Sequence, residues 1–265
     1  MDLSGRTALL TGATGGLGRA IAQALAERGT GVVLSARRAE ALEALAAELP
    51  GEGHRCLPAD LGQPGEAERL AGEAGEVDVL VANAGMSGTG LMSDASPEEI
   101  AQTLRVNLEV PMLMAQSLAP AMEARGEGHL VFLASLAGKS ASPRSSVYNA
   151  TKFGLRGFAL GLRMDLASSG VGVSMVSPGF IRDAGMFARS GAKPPPGFGT
   201  SSPQQVARAV VRAIERNKVE VAVAPLRQRA MAHVGMAAPG ISVRVQSGNA
   251  ARRVTESIDA GHRGR

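Results

Sequence analysis

Tyr148 and Lys152 are the residues whose types and spacing most directly suggest chemistry. The stretch SVYNATKFG contains the single tyrosine of the 265-residue chain and one of its four lysines. Residues i and i+4 of a helix project from the same face, so a helix here places the phenol beside the ammonium. A nearby ammonium favours phenolate and lowers the pKa of a phenol from its reference of about 10. The pair therefore predicts a proton donor and acceptor with a pKa below that reference.

Ser135 is a third candidate, because it directly follows the apolar run 129–134. A serine hydroxyl can hold a carbonyl oxygen while the phenol donates a proton to that oxygen, or takes one from the matching alcohol. The alternative is a tyrosine and a lysine on a solvent-exposed helix surface. The rarity of both residues in this chain argues against that alternative.

The elements that must position these side chains appear as short apolar runs that alternate with helical patterns. Such strands are typical of parallel strands buried on both faces, with helices on both sides of the sheet. We therefore predict an α/β fold, a doubly wound seven-stranded parallel sheet flanked by helices (Rossmann fold), as a single domain over 1–224. The expected strands are 6–11, 31–36, 54–57, 77–82, 129–134, 171–176 and 219–224, and the expected helices are 16–29, 40–49, 64–75, 97–124, 144–168 and one from Pro203.

A glycine-rich turn, TGATGGLG, connects the first strand to the first helix. Ligands of doubly wound sheets bind beyond the carboxyl ends of the strands. Glycine allows close backbone approach, and a helix N-terminus presents free N–H groups and a positive dipole end to a phosphate. A purely structural turn is the alternative, but the position between strand and helix favours a dinucleotide site.

The end of the second strand indicates which dinucleotide binds. An acid about 20 residues past the glycines would hold the ribose 2′-OH of NAD, whereas arginine favours a 2′-phosphate. Here the strand ends at Ala36, and Arg37 and Arg38 follow, with guanidiniums suited to bidentate phosphate contact. Two solvated arginines at the start of a helix are the alternative. The missing acid makes NADP the expected cofactor and NAD the less favoured one.

Polar or small residues also follow the third and fourth strands. Asp60 could accept a hydrogen bond from an adenine amino group, and the NAG loop, 83–85, leaves room for a ribose. Taken singly, each is more often a turn. Their shared position at the edge that carries the glycine turn favours one site.

Together these motifs resemble the short-chain dehydrogenase/reductase family over about residues 4–224. TGATGGLG resembles its TGxxxGxG loop, NAG its fourth-strand motif, and Ser135 with YNATK its catalytic serine and YxxxK motif. The resemblance implies that Tyr148 is the general acid/base and that Ser135 positions the substrate oxygen. It implies that Lys152 both lowers the phenol pKa and binds the nicotinamide ribose.

The resemblance also extends to two further stretches, RVNLEVP and SPGFIRD. It implies that Asn107 supports the helix and the water of a proton relay, and that the loop after the sixth strand contacts the nicotinamide. The predicted catalytic residues are Asn107, Ser135, Tyr148 and Lys152, and no metal ligands are predicted. The predicted cofactor-binding residues are Gly12, Thr14, Gly16, Leu17, Gly18, Arg37, Arg38, Asp60, Leu61, Asn83, Ala84, Gly85, Tyr148, Lys152, Pro178, Gly179 and Ile181.

Two features depart from the family pattern. Asp183 stands where many members have threonine, and its carboxylate can accept a hydrogen bond but cannot donate one. The chain also lacks the DGG ending common among acyl-carrier-protein reductases. Its ending suits carbonyl reductases with variable C-terminal extensions better.

The expected activity is hydride transfer between NADP and an apolar ketone, aldehyde or secondary alcohol, with that small molecule as the partner. A 3-oxoacyl thioester reductase and a non-catalytic NADP-binding regulatory protein are the alternatives. The Gly- and Pro-rich segment 184–202 is expected to be a mobile lid that contributes Met186, Phe187 and Phe198. Across the cleft we expect Met86, Leu91 and Met92.

The basic character of the chain is concentrated in its last residues. The net charge is +4, but residues 225–265 hold seven arginines and two acids, whereas the rest holds 21 bases and 22 acids. Without interleaved aromatics, this pattern predicts a solvated, partly disordered basic C-terminal extension and no nucleic-acid partner. A weak contact with an anionic surface is the alternative.

Location and assembly are indicated more indirectly. The single Cys56 allows no internal disulfide and suits a reducing compartment. No signal-peptide pattern and no run of about 18 apolar residues is present, so we expect a cytoplasmic protein without a membrane segment. The family resemblance implies that helices 97–124 and 144–168 form a four-helix interface of a homodimer or homotetramer.

Overall fold

The computed structural model describes residues 1–195, 197–248 and 255–257. In this part of the chain, seven parallel strands form one sheet in the order β3-β2-β1-β4-β5-β6-β7, which confirms the predicted sheet. The strand order reverses between β1 and β4, and ligands of such sheets bind at this point, beyond the carboxyl ends. The strands are β1 (Thr7–Thr11), β2 (Gly31–Ser35), β3 (Arg55–Cys56), β4 (Val79–Ala82), β5 (Gly128–Leu133), β6 (Val171–Pro178) and β7 (Glu220–Val223).

Helices cover both faces of this sheet because strand side chains alternate between two hydrophobic cores. Leu10 of β1 packs in one core and Leu9 in the other. Helices α1, α2 and α8 cover the first core, and α3, α5 and α6 cover the second. The helices are α1 (Gly16–Ala26), α2 (Ala39–Glu48), α3 (Glu66–Ala74), α4 (Pro97–Leu104), α5 (Val110–Arg125), α6 (Ser146–Asp165), α7 (Gly185–Ser190), α8 (Pro203–Glu215), α9 (Leu226–Ala237) and α10 (Pro239–Gln246).

The single helix expected over 97–124 is divided in the structure. A π-helical turn, Arg105–Glu109, separates α4 from α5. Pro111 has no N–H to donate to the carbonyl four residues earlier, that of Asn107, so the regular α-helical pattern cannot continue there. Such π turns occur often at functional sites, and this one directs the buried Asn107 side chain toward the segment after β4.

The C-terminal extension also differs from expectation. Residues 226–246, which the charge pattern predicts to be solvated, form α9 and α10. Gln228, Ala232 and Ser242 of these helices are buried, so this part of the extension packs on the fold. Residues 249–254 and 258–265 of the predicted extension lie outside the described residues. The division of the chain after residue 224 stays a prediction.

Among the described residues, no helix is both long and apolar enough to cross a membrane.

Candidate active site

A cleft of about 1170 Å³ opens beyond the carboxyl ends of the strands. It brings together every predicted site residue except Asn107, which lies buried behind it. The predicted residues that line the cleft are Gly12, Thr14, Gly16, Leu17, Gly18, Arg37, Arg38, Asp60, Leu61, Asn83, Ala84, Gly85, Ser135, Tyr148, Lys152, Pro178, Gly179 and Ile181.

The glycine turn after β1 is packed so tightly that side chains are excluded. Gly12 has a φ of +66°, and a Cβ there would lie 2.9 Å from the Ala84 Cα. A Cβ at Gly18 would overlap the Gly12 carbonyl oxygen. No side chain caps the N-terminus of α1, so its first N–H groups remain available to an anion in the cleft.

Thr11 holds the glycine turn against the NAG loop. Its Oγ1 accepts hydrogen bonds from the backbone N–H groups of Asn83 and Ala84, both at 3.0 Å. In return, Asn83 Nδ2 donates to the carbonyl oxygens of Thr11 at 2.9 Å and Gly12 at 3.2 Å. The sequence did not predict this role of Thr11, for which the signal was a hydroxyl at the carboxyl end of the first strand.

Asn107 fixes the chain that follows the NAG loop. Its Oδ1 accepts from Met86 N at 2.8 Å, and its Nδ2 donates to Met86 O at 2.9 Å. The same Nδ2 lies 3.4 Å from Thr151 Oγ1, which donates to the Tyr148 carbonyl oxygen at 2.7 Å. Asn107 therefore connects the NAG loop to the helix that carries Tyr148 and Lys152.

Arg37 and Arg38 stand where β2 ends, at the rim of the cleft. Both side chains are exposed, and neither forms a hydrogen bond or ion pair with any other described residue. The Ala36 carbonyl before them accepts from Ala59 N at 3.0 Å, which brings Asp60 to the same edge. The Asp60 carboxylate accepts from Gly62 N at 3.1 Å.

Ser135, Tyr148 and Lys152 meet at the carboxyl end of β5. The Ser135 side chain acts on the Tyr148 phenol and favours its ionised form, and the Ser135 hydroxyl accepts from Ala137 N at 3.1 Å. Lys152 Nζ lies 5.7 Å from the centroid of the Tyr148 ring and donates to the Leu133 carbonyl oxygen at 2.9 Å. The predicted i, i+4 arrangement on α6 therefore places the ammonium under the phenol ring.

The predicted fall in the pKa of Tyr148 is wrong for the protein chain alone. Burial raises the pKa of Tyr148, and the hydrogen bond from Ser135 only partly opposes this effect. Burial also lowers the pKa of Lys152 to about 8. The physical reason is that Lys152 Nζ is directed at the Leu133 carbonyl oxygen, while the apolar surroundings disfavour both charged forms.

The loop after β6 forms the opposite wall of the cleft. Gly179 N donates to Val223 O at 3.1 Å, and Ile181 forms a β-bridge with Ser201. Asp183 has a φ of +66° and pairs with Arg182 at 3.4 Å, with 71% of its side chain exposed. Its carboxylate therefore faces solvent in this conformation, outside the residues that line the cleft.

The apolar part of the cleft comes partly from residues that the sequence predicted. Met86 and the lid residues Met186, Phe187 and Phe198 line it, whereas Leu91 and Met92 are exposed and do not. The lid contains α7, and the Phe180 and Phe187 rings lie 4.6 Å apart. The sequence did not predict the contribution of α9 and α10, which add the lining residues Met231, Ala232, Val245 and Gln246.

Comparison with known proteins agrees with this geometry. Residues 6–194 match the family model described as short chain dehydrogenase. The chain is 37% identical over 227 residues to the ketoacyl reductase HetN of Nostoc sp., covering 83% of this chain and 79% of that protein. It is 33% identical over 265 residues to dehydrogenase/reductase SDR family member 7B of Bos taurus, covering 91% and 80%.

A solved structure shows the same fold. The short-chain dehydrogenase from Sphingobium yanoikuyae, in complex with NADPH, superposes with a TM-score of 0.78 at 29% identity, covering 94% of this chain and 99% of that chain. The fold and the cleft thus define an oxidoreductase of the class that binds a nicotinamide cofactor. The chain belongs to the short-chain dehydrogenase/reductase family.

Proposed function

We propose that the protein is an NADP-dependent oxidoreductase that acts on a largely apolar ketone or aldehyde, or on the matching secondary alcohol. The observation that carries the proposal is that Ser135, Tyr148 and Lys152 line the same cleft as the glycine turn, with Lys152 Nζ 5.7 Å from the centroid of the Tyr148 ring. When bound, the nicotinamide would supply or accept the hydride. The chain itself would supply the proton and the oxygen-binding groups.

The residues at the dinucleotide end of the cleft suit NADP. The turn at Gly12 and Gly18 excludes side chains and leaves backbone open to the cleft, and the uncapped start of α1 suits a pyrophosphate. The side chains of Arg37 and Arg38 have no hydrogen-bond or ion-pair partner among the described residues, and they stand where no acid would repel a 2′-phosphate. Similarity to a protein solved with NADPH supports this cofactor.

Tyr148 and Ser135 would act on the substrate oxygen. In the reductive direction, the Tyr148 phenol donates its proton to the carbonyl oxygen, while the Ser135 hydroxyl donates a hydrogen bond to the same oxygen. Lys152, with its Nζ held by the Leu133 carbonyl, would stabilise the phenolate that remains. Asn107 would keep α6 and the NAG loop in register through Thr151 and Met86.

The substrate end of the cleft is predominantly apolar, which supports an apolar carbonyl compound. Its walls include Met86, Phe187, Phe198, Met231 and Val245. Reduction of a 3-oxoacyl thioester is a second candidate, favoured by the 37% identity to a ketoacyl reductase of Nostoc sp..

The test is NADPH oxidation by the purified protein over a panel of apolar ketones, aldehydes and a 3-oxoacyl thioester. We expect turnover of apolar carbonyls with NADPH and much less with NADH. Turnover of the thioester alone would favour the second candidate. NADPH binding without any turnover would instead identify a regulatory NADP-binding protein and contradict the proposal.

We also propose a cytoplasmic homodimer or homotetramer. Leu104 of α4 and Phe153 and Met164 of α6 are exposed at 38%, 44% and 72% on the helices that family resemblance places at an interface. Cys56 is free, which suits a reducing compartment. Sedimentation at micromolar concentration should show a multiple of 27.1 kDa. A single species of monomer mass would contradict the assembly, and Phe153→Asp should shift it toward monomer.

A further inference from the structure

Gln228 of α9 uses its side-chain amide to bind two loops at once. Its Oε1 accepts from Phe180 N at 3.1 Å, and its Nε2 donates to the carbonyl oxygens of Phe198 at 3.0 Å and Gly199 at 2.9 Å. The residue is only 5% exposed. It also lies beyond the residues that match the family model.

The two loops joined by Gln228 form the nicotinamide wall and the substrate lid of the cleft. Phe180 lies between Gly179 and Ile181, and a Cβ at Gly179 would overlap Gln228 Oε1. Phe198 lies toward the C-terminal end of the lid, and the centroid of its ring is 5.1 Å from the Arg227 guanidinium carbon. The position of one wall therefore depends on the other through the Gln228 side chain, in addition to the backbone bridge between Ile181 and Ser201.

The site of Gln228 demands one acceptor and two donor hydrogens from the same side chain. A primary amide satisfies this demand, because it carries one carbonyl oxygen and one NH₂ group. A carboxylate would accept from Phe180 N but would direct its second oxygen at the carbonyls of Phe198 and Gly199. A protonated carboxyl group could donate to only one of these carbonyls.

We propose that Gln228 is a positioning residue that holds the substrate lid against the nicotinamide loop and thereby sets turnover and substrate affinity. The proposal rests on the proposed function, because both loops line the cleft assigned to NADP and the carbonyl substrate. Gln228 itself does not act on the reacting atoms. It holds in place the two loops whose residues Ile181, Phe187 and Phe198 line the cleft.

The main test is Gln228→Glu, assayed over pH. The carboxyl pKa should rise above its ordinary value, because the site is buried and two carbonyl oxygens face the new oxygen. At about pH 8 we expect kcat/KM with NADPH to fall roughly tenfold relative to the parent, with recovery toward the parent as pH falls to about 5.5.

The control for this variant is Gln205→Glu on α8. The Gln205 Oε1 only accepts, from Ser202 N at 2.8 Å, so a carboxylate replaces it without repulsion and its pH profile should match the parent. Dividing the two profiles removes the contributions of the other charged or titratable groups around Gln228. On α9, the loop after β6 and the lid, these groups are Arg182, Asp183, Arg189, Lys193, Arg227, Arg229 and His233.

A second readout needs no turnover. Arg189 is exposed in the lid and offers a tryptic bond to Ser190, whereas Lys193 precedes a proline and resists cleavage. Without substrate, at about pH 8, Gln228→Glu and Gln228→Met should be cut after Arg189 roughly tenfold faster than the parent and Gln205→Glu. Gln228→Met keeps the side-chain length and remains informative if the glutamate variant does not fold.

The outcomes separate this inference from the proposed function. If the parent turns over carbonyls but both Gln228 variants keep its pH profile and its cleavage rate, the positioning role is wrong. A uniform loss of activity at every pH with unchanged cleavage also contradicts it. If the parent neither binds NADPH nor reduces any carbonyl, the proposed function fails, while the cleavage result still reports on the lid.

Discussion

The dinucleotide end and the substrate end of the cleft are built in different ways. At the dinucleotide end, contacts join residues at the carboxyl ends of neighbouring parallel strands, as Thr11 of β1 and Asn83 after β4 do. At the substrate end, contacts instead join the helices after β7 to the segments that follow β5 and β6. Gln228 bonds Phe180 and Phe198, and Ser140 lies 2.9 Å from Ser242, 102 residues later in the chain.

This difference separates two kinds of function. The dinucleotide end uses backbone groups and glycines, whose geometry follows from strand and turn positions. The substrate end uses side-chain packing of α7, α9 and α10, which can vary without disturbing the sheet. Loops and additions placed at the strand ends of such folds carry specificity on a common scaffold. Mutations at the dinucleotide end should therefore change cofactor affinity, and mutations at the substrate end should change the KM of the substrate.

The largest expected effect falls where the two ends meet, at Tyr148. Tyr148→Phe removes the proton donor and should lower kcat by about 10²- to 10⁴-fold. NADPH affinity should change much less, because the glycine turn and the arginines are untouched. The measurements are steady-state NADPH oxidation and NADPH titration by nicotinamide fluorescence. A variant that retains parental kcat would remove Tyr148 from the chemistry.

The next prediction isolates the dinucleotide end. Arg37→Ala removes one charge-assisted phosphate contact, which should cost about 1.5–3 kcal/mol of the free energy of NADPH binding. The ratio of NADPH affinity to NADH affinity should therefore fall at least about tenfold. The KM of the carbonyl substrate should stay near that of the parent. Arg208→Ala, which removes an exposed arginine of α8 outside the cleft, is the control. Equal affinities of the parent for NADPH and NADH would contradict the assignment of NADP.

Lys152 offers a test that needs neither cofactor nor substrate. Burial lowers its pKa from 10.5 to about 8, so between these pH values the unfolded chain binds a proton that the folded chain has released. The free energy of unfolding should therefore rise with pH across this window, on the order of 2 kcal/mol, and the Lys152→Met variant should lack this rise. Urea unfolding at about pH 8 and about pH 10 measures the difference. Parallel slopes for the two proteins would contradict a buried Lys152 with a lowered pKa.

The smallest expected effect is a shift in the titration of Tyr148. The chain has one tyrosine and no tryptophan, so ultraviolet absorbance follows a single phenol. Because burial raises the pKa of Tyr148, the protein alone should titrate above the reference of about 10. Bound NADP⁺ should lower the apparent value, since its cationic nicotinamide favours phenolate.

Two serine variants sharpen this titration. The hydrogen bond from Ser135 favours phenolate, so Ser135→Ala should move the titration further upward. Ser117→Ala changes an exposed hydroxyl on α5 that bonds Leu113 O and should leave it unchanged. If Tyr148 of the parent protein titrates below the reference pKa without cofactor, the result would support the lowering of its pKa by Lys152 that the sequence predicted.

The sequence alone predicted the sheet and most of the candidate site. Buried parallel strands can be recognised in a sequence as short apolar runs. The residues that follow these runs all lie at the carboxyl edge of the sheet, whatever the rest of the chain does. Gly12, Arg37, Asn83, Ser135 and Tyr148 therefore fell around one cleft. The i, i+4 spacing on α6 likewise placed Tyr148 and Lys152 together, because that relation is local.

Tertiary structure alone decided what surrounds those residues. Burial set the direction of the pKa shifts of Tyr148 and Lys152, and burial is not visible in the spacing of two residues. Because Pro111 has no N–H, a π-helical turn interrupts the predicted helix and directs Asn107 toward Met86. The charge pattern predicted a solvated extension, but Gln228 in this extension is buried against two loops that line the cleft. Burial depends on which distant segments pack together and not on the composition of one stretch.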